Sequence, residues 1–150
     1  MLRDITRPNI NLTSTNNGII QFYDYTRDKL LSVNRETMSF GIDHRNITGK
    51  RWLRVNDKIN TYVSGYKIIR NATITAISIH TQNIVDEARF SIRLNNSTTN
   101  IHTSSISASQ DIIEDNLNYN INKDDFLQLF MSVLSGDVDF PIVTVEIAWR

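Results

Sequence analysis

Hydrophobic and polar residues alternate over the last ten residues of the chain, "PIVTVEIAWR". One face of an extended strand here would carry Val143, Val145, Ile147 and Trp149. The alternation continues to the end of the sequence, although chain termini commonly fray. We therefore predict that this strand lies between two others in a sheet, with its backbone paired on both sides and Trp149 covering the core.

Similar β signals precede this strand in "RWLRV", "TYVSGYKII", "ATITAISIHT", "RFSIRLN" and "NKDDFLQLFMSVL". Within "RFSIRLN", the pattern places Phe90, Ile92 and Leu94 inward and the residues between them outward. Within "ATITAISIHT", the apolar parity changes after Ala76, which predicts a bulge or a strand buried on both faces. Short strands separated by turn signals at intervals of roughly 8–12 residues predict an all-β fold, an antiparallel β-sandwich of the jelly-roll type.

Two segments between these strands carry weaker signals. The stretch "SQDIIEDNLNYNI" predicts a short helix with Ser109 as its N-cap and Ile112, Ile113 and Leu117 as its apolar stripe. The polar stretch "NNSTTNIHTSSISASQ" predicts a loop with one weak strand around Ile101 to Ile106.

Residues 1–48 are more polar than the rest of the chain and contain only short apolar clusters. "IIQFYDY" and "KLLSV" predict two short strands with a bend at "TRD", and "RETMSFGID" predicts a weak third strand. So few apolar residues are unlikely to form a separate core. We therefore predict an extended N-terminal arm or attachment segment over residues 1–48 and a sandwich domain over residues 49–150, with a strand of the sandwich as the alternative for the N-terminal part.

The charge and composition exclude several classes of protein. The 150 residues carry 16 basic and 16 acidic side chains, so the net charge is zero and nucleic acid is not predicted as a partner. The most basic stretch, "KRWLRVNDK" (Lys50 to Lys58), is interpreted as a strand with solvated charges. Cysteine is absent, no apolar run approaches the roughly 18 residues of a membrane span, and the first residues do not resemble a secretory signal. We therefore expect no membrane association.

The candidate chemical groups do not form a known catalytic or metal-binding pattern. The three histidines, at positions 44, 80 and 102, have none of the spacings typical of metal sites. The acidic pair Asp137 and Asp139 beside Gly136 could contribute to a calcium loop, but a calcium site needs 6–8 oxygen ligands. No nucleophile elbow or phosphate-binding glycine loop is present. We predict no catalytic residues, no cofactor and no metal, and hence a protein that is not an enzyme.

Two parts of the sequence resemble a known class of proteins. The stretch "NGIIQFYDYTRDKLLSVNRETMSFGIDHRN", followed by "RWLRV", resembles the N-terminal part of small virion structural proteins of tailed bacteriophages. The stretches "GYKIIRNATITAISIHT", "ARFSIRLN", "INKDDFLQLFMS" and "PIVTVEIAWR" resemble the jelly-roll body of such proteins. In outline the chain is also similar to trimeric C1q-like and tumour-necrosis-factor-like jelly rolls.

The resemblance implies a mechanical role in the virion, as a capsid decoration, a head fibre or a neck or collar adaptor. It implies contacts with other virion proteins of the capsid, neck or tail, and a homo-oligomer, with a trimer as the leading candidate. The N-terminal segment would bind its neighbour, for example by adding strands to a sheet edge. The predicted partner-binding residues are Ile19, Ile20, Phe22, Tyr23, Tyr25, Leu30 and Leu31.

Two alternatives belong to other functional classes. A carbohydrate- or receptor-binding sandwich of a tail fibre would use the polar loops "NNSTTNIHTSS" and "DHRNITGK", but these contain no aromatic residue on which a sugar could stack. A polysaccharide-processing enzyme would need two carboxylates flanking a cleft, whereas neighbouring acids such as Asp124 and Asp125 on a strand would point to opposite faces.

Overall fold

The computed structural model describes residues 13–14, 20–55, 59–62, 64–84, 86–108 and 111–150. These residues form antiparallel β-strands and connecting turns, and none of them belongs to a helix. Within these ranges there is accordingly no helix that could cross a membrane. Of the residues that the sequence singled out, Ile19 and Ser109 lie outside the described residues.

The strands are between two and ten residues long, and the four longest lie after residue 70. Their bounds are β1 Thr13–Ser14, β2 Ile20–Asp24, β3 Lys29–Ser32, β4 Arg35–Gly41, β5 Lys50–Trp52, β6 Arg54–Val55, β7 Ile59–Asn60, β8 Tyr66–Lys67, β9 Ala72–His80, β10 Asn83–Ile84, β11 Glu87–Leu94, β12 His102–Ser107, β13 Asp111–Glu114, β14 Tyr119–Ile121, β15 Phe126–Ser135, β16 Val138–Asp139 and β17 Ile142–Trp149.

Two antiparallel sheets enclose the hydrophobic core, so the predicted β-sandwich is confirmed. The larger sheet has the order β13-β9-β17-β4-β6-β7, with β14 also paired to β9. The smaller sheet has the order β12-β11-β15-β5, with β8 also paired to β15. The core is formed by alternate residues of the long strands, such as Ile77 and Ile79 of the larger sheet and Phe90 and Leu129 of the smaller one. Burial of these side chains is the main term that holds the two sheets together.

The C-terminal strand β17 lies between β4 and β9, as its alternation predicts. Val143, Val145 and Ile147 are fully buried, and Trp149 packs against the edge of the core. The backbone of β17 is hydrogen-bonded to a neighbour on each side, so its polar groups are paired.

The predicted change of parity in β9 is a β-bulge. The register between β9 and β17 shifts between Glu146 and Ile147, so that one extra residue of β9, Thr75, has no partner in the ladder. The Thr75 hydroxyl donates a hydrogen bond to the Glu146 carboxylate over 2.5 Å. The bulge allows Ile74 and Ile77 both to face the core.

The helix predicted from Ser109 onward is wrong. Residues Asp111–Glu114 and Tyr119–Ile121 are the strands β13 and β14, which pair with the edge of β9. Ile112 and Ile113 therefore point to opposite faces, and Ile113 is 73% exposed, whereas Leu117 is buried between the two strands. The open edge of β9 offers backbone partners that outweigh the weak helical pattern.

The segment predicted as an N-terminal arm contains two kinds of structure. Strand β4, predicted from "RETMSFGID", pairs with β17 inside the larger sheet, and its Met38 and Phe40 are buried in the core. Strands β2 and β3 instead pair with each other and with β1 in a separate three-stranded sheet. Only this second part is separate from the sandwich sheets. The division into units at residue 48 stays a prediction.

Candidate functional site

The candidate contact site is the β2–β3 hairpin, residues 20–32, which holds most of the residues predicted to bind a partner. Its turn carries Asp28 in a left-handed conformation, with φ of 53°. The Asp24 carboxylate closes the turn by accepting the backbone N–H groups of Thr26 and Arg27 at 3.0 and 3.1 Å. A short polar side chain that accepts backbone N–H groups two and three residues ahead is typical of turns. The sequence "DYTRD" therefore forms a turn of defined geometry.

Arg27, at the tip of this turn, attaches the hairpin to the sandwich. Its Nε donates to the carbonyl of Leu117 at 2.7 Å, and its Nη2 donates to the carbonyls of Asp115 and Thr75 at 2.9 and 3.2 Å. Its Nη1 forms an ion pair with Asp24 at 2.9 Å. The planar guanidinium thus bonds two segments of the body and its own hairpin at once, which a lysine ammonium could not reproduce in the same geometry.

Two further contacts attach the other strand of the hairpin. The Ser32 hydroxyl accepts the backbone N–H of Trp149 at 2.8 Å and donates to the carbonyl of Asn34 at 2.6 Å. Lys29 donates to the Asn120 side chain at 2.7 Å. Leu31, between them, is fully buried. The hairpin is therefore fixed at its tip, along β3 and at its exit into β4.

The ionisation of Asp24 contributes to this attachment. Burial disfavours the charged form of Asp24, but the hydrogen bonds from the Arg27 side chain and backbone, its positive charge and the Thr26 N–H together outweigh burial and lower the pKa of Asp24 below its ordinary value of 3.8. A carboxyl group whose pKa is lower in the folded state stabilises the fold above its unfolded pKa, and this contribution is lost as the pH falls through the folded pKa.

We predict that the free energy of unfolding of the wild type falls more steeply below pH 3.8 than that of Asp24→Asn, which has no carboxyl group to protonate at this position. Urea unfolding followed from neutral pH into this acidic range measures the difference. Parallel curves for the two proteins in that range would show that Asp24 is not linked to folding.

The predicted partner-binding residues divide into exposed and covered positions. Ile20, Tyr25 and Leu30 are 55%, 68% and 41% exposed, and Val33, just after β3, is 52% exposed. Phe22 and Tyr23 are half-buried: the ring of Phe22 lies beneath the Arg35 guanidinium, and the Tyr23 hydroxyl bonds to Asp28. Leu31, in β3 of the hairpin, is fully buried and therefore not accessible to a partner. The open apolar positions, which we call the hairpin surface, are Ile20, Tyr25, Leu30 and Val33. Ile20 adjoins Val33 on one face of the hairpin, whereas Leu30 lies opposite Tyr23 on the other face.

The sequence did not indicate the role of Arg27. Its carbonyl acceptors lie 48 to 90 residues away in the sequence, and a backbone carbonyl leaves no signal in residue type. Val33 was included in the predicted strand segment "KLLSV" but not among the partner-binding residues. Its exposure follows from its position between the end of β3 and the start of β4.

Two of the three histidines are paired with carboxylates in the part of the chain that the structure describes. His102 Nε2 contacts both Glu114 Oε2 at 2.6 Å and Ser104 Oγ at 3.0 Å, whereas a nucleophilic triad needs the acid and the hydroxyl on opposite ring nitrogens. His80 pairs with Asp111, and Asp139 accepts the backbone N–H of Asn46. These groups connect strands and loops. In the ranges that the structure covers, no three His, Asp or Glu side chains are grouped so as to hold a metal ion.

We compared the chain with protein-family models and with curated proteins. No protein-family model matches the chain, and no curated protein is significantly similar to it.

Proposed function

We propose that this protein is a structural component of a bacteriophage virion that acts through protein–protein contacts made by the hairpin surface. The observation that carries the proposal is an exposed apolar surface on a hairpin that is itself fixed to the body through Arg27. A preformed contact element loses less conformational entropy on binding than a flexible segment does. The phage context rests on the resemblance of the sequence to virion proteins, and the location would be a capsid decoration, head fibre or neck or collar adaptor.

We infer that the sandwich is a jelly roll from the order in which the chain visits its two sheets. Strands β4, β9, β13 and β17 belong to the larger sheet, and β5, β11, β12 and β15 belong to the smaller one. Along the chain, successive members of these two sets alternate between the sheets except at β11 and β12, which form a hairpin within the smaller sheet. This path supports two Greek keys wound together, which is the definition of a jelly roll.

We propose in addition that the hairpin surface joins copies of this chain, with a trimer as the expected assembly. Closed symmetry is the usual arrangement for identical subunits, and it would cover the same apolar residues in every copy. Ile20 and Val33 are neighbours on one face of the hairpin, and exposed apolar residues that adjoin one another commonly mark an interface. The partners outside this assembly would be capsid, neck or tail proteins.

Light scattering of the purified protein tests this self-association. We expect a mass of about three times the 17.3 kDa of one chain, and the mass of one chain for the double variant Ile20→Ser/Leu30→Ser. The control, Ile113→Ser/Ile142→Ser, removes two isoleucines that are 73% and 48% exposed on the sandwich and should keep the wild-type mass. A wild-type monomer at all concentrations, or equal dissociation of both double variants, would contradict self-association through the hairpin.

One observation favours the alternative function, a carbohydrate- or receptor-binding sandwich. Tyr62 is 65% exposed and lies beside Trp52, with ring centroids 6.0 Å apart. These aromatic residues are outside the two polar loops in which the sequence suggested that recognition would occur. Trp52 lies in β5 of the smaller sheet, and Tyr62 follows β7 and packs beside it.

A further inference from the structure

The outer face of the smaller sheet collects basic side chains from strands that are distant in sequence. Ala88, Phe90 and Ile92 of β11 point into the core, so Arg89 and Arg93 point outward. Lys50 of β5 lies opposite Ser132 of β15, which in turn lies opposite Arg89. Directly opposite residues share a face of the sheet. Lys50, Arg89 and Arg93 are therefore on the same outer surface, with Lys50 and Arg89 about 10 Å apart across two strand spacings.

This surface is basic although the whole chain is neutral. Glu87 is the one acidic residue in β5, β8, β11, β12 and β15, and it pairs with Arg89 at 3.3 Å. No carboxylate among the described residues forms an ion pair with Lys50 or Arg93. The same five strands hold five lysines and arginines, at positions 50, 51, 67, 89 and 93. Such a local excess of positive charge attracts anions.

An aromatic cluster lies on the same surface next to Arg93. Trp52 and Phe130 meet edge to face with centroids 5.0 Å apart, and Tyr62 adjoins Trp52. The Arg93 guanidinium stacks 4.0 Å from the centroid of Phe130 and 5.3 Å from that of Trp52. The stacked rings and the bond from its Nε to Asn100 at 2.7 Å fix the orientation of this guanidinium. A guanidinium held in this way can donate hydrogen bonds to an oxyanion that lies in the plane of the guanidinium.

Arg93 is partly buried, and this burial destabilises its charged form. Burial lowers the pKa of Arg93 from its ordinary value, because removal of water disfavours the charged form. A bound anion would offset that cost. The neighbouring side chains are hydroxyl and amide groups: Thr103 and Ser105 of β12 are exposed, Ser132 is half-buried and Asn100 is exposed. These groups can donate to and accept from sugar hydroxyls.

We propose that this surface, formed by Lys50, Arg89, Arg93 and Tyr62, binds an acidic polysaccharide, with its carboxylate or sulfate groups on the basic side chains and a sugar ring against Tyr62. Single-stranded nucleic acid is the less favoured polyanion, because it binds by stacking bases on open aromatic faces. Here Arg93 stacks over Phe130 and Trp52, and Tyr62 is the ring that stays widely exposed. The proposal is independent of the hairpin surface.

Intrinsic fluorescence tests the proposal with the full chain, because Trp52 lies in the proposed site and the other tryptophan, Trp149, packs against the core. The probes are polygalacturonate, which carries carboxylates, heparin, which carries sulfates, neutral dextran and oligothymidylate. We expect polygalacturonate or heparin to change the fluorescence at low ionic strength, with affinity falling as salt is added. The acidic polysaccharide that binds more tightly identifies the anionic group. Dextran should not bind.

A pair of charge variants makes the result specific. Lys50→Ser/Arg89→Ser should weaken binding roughly tenfold, since it removes two cations from the surface. Lys123→Ser/Arg70→Ser removes the same charge from exposed positions in the turns outside this sheet and should leave binding nearly unchanged. Unchanged thermal unfolding of both variants would show that they remain folded. Absence of binding to both acidic polysaccharides, equal weakening in the two variants, or tighter binding of oligothymidylate would each overturn the proposal.

Discussion

Replacing Gly65 with alanine is expected to lower the free energy of unfolding by roughly 3 kcal/mol. A Cβ atom at this position would lie 2.4 Å from the carbonyl oxygen of Leu127 and 2.8 Å from the Cγ of Gln128. Both residues are fully buried in the central part of the smaller sheet, where Leu127 also pairs with Leu94 and Tyr66. The backbone there cannot move away without breaking ladder hydrogen bonds, so the strain cannot be relieved cheaply.

The hydrogen bonds of Gln128 add to the loss of stability expected for Gly65→Ala. Its side-chain amide donates to the carbonyl of Thr61 and to Asn96 Oδ1, and its Oε1 accepts the backbone N–H of Asn96 at 2.6 Å. These bonds hold two surface loops over an outward-facing position of β15. A displacement of Gln128 by an added methyl group would leave buried polar groups without partners, which costs free energy beyond the clash itself.

Urea unfolding of Gly65→Ala measures the effect, and Gly49→Ala is the control. Gly49 has a φ of +69° and open space around its Cβ position, so alanine there should cost about 1 kcal/mol through backbone strain alone. If both variants lose the same stability, the close approach of Gly65 to β15 is not a feature of the protein.

Replacing Arg27 with alanine is expected to release the tip of the hairpin while β3 and the sandwich stay folded. The substitution removes the donors to three backbone carbonyls and leaves the mostly buried Asp24 carboxylate without its cation. Hydrogen bonds from a charged group contribute about 1.5–3 kcal/mol each, and loss of one partner of a buried ion pair is costly. The core residues of β9, β11, β15 and β17 do not depend on this contact.

Limited proteolysis measures this release. We expect cleavage in residues 25–28 to become roughly 100-fold faster in Arg27→Ala, which corresponds to about 2.7 kcal/mol of local stability. Arg27→Lys keeps the charge but not the planar arrangement of donors, and its cleavage rate should be intermediate. Cleavage rates equal to the wild type in both variants would mean that Arg27 does not hold the hairpin.

The long strands of the sandwich are predictable from the sequence because they are buried on one face. Val143, Val145 and Ile147 alternate with polar residues, and the same spacing positions Phe90 and Ile92. The parity change in β9 also has a local signal, since a bulge shifts the side-chain pattern by one residue. The strands β13 and β14 have no comparable signal. They form because β9 offers an open edge, and that edge exists only in the assembled sheet.

The surfaces are less predictable because they combine residues from distant parts of the chain. Ile20, Tyr25 and Leu30 are exposed, and their role in binding a partner stays a prediction, whereas the attachment through Arg27 depends on carbonyls of β9 and the β13–β14 loop. Likewise, Lys50 in "KRWLRVNDK" looks like an ordinary solvated charge. Only the pairing of β5 and β11 with β15 brings it into the same surface as Arg89 and Arg93.

The most direct test of the central claim, a preformed hairpin fixed to a β-sandwich, is native-state hydrogen exchange of the wild-type protein. We predict that the amides of β17 are among the slowest to exchange, because β17 pairs on both sides. The amides that join β2 to β3, and the Trp149 amide bonded to Ser32, should be clearly protected, although less than those of β17. Exchange of the hairpin amides at the rate of an unfolded chain, beside a protected β17, would contradict the account.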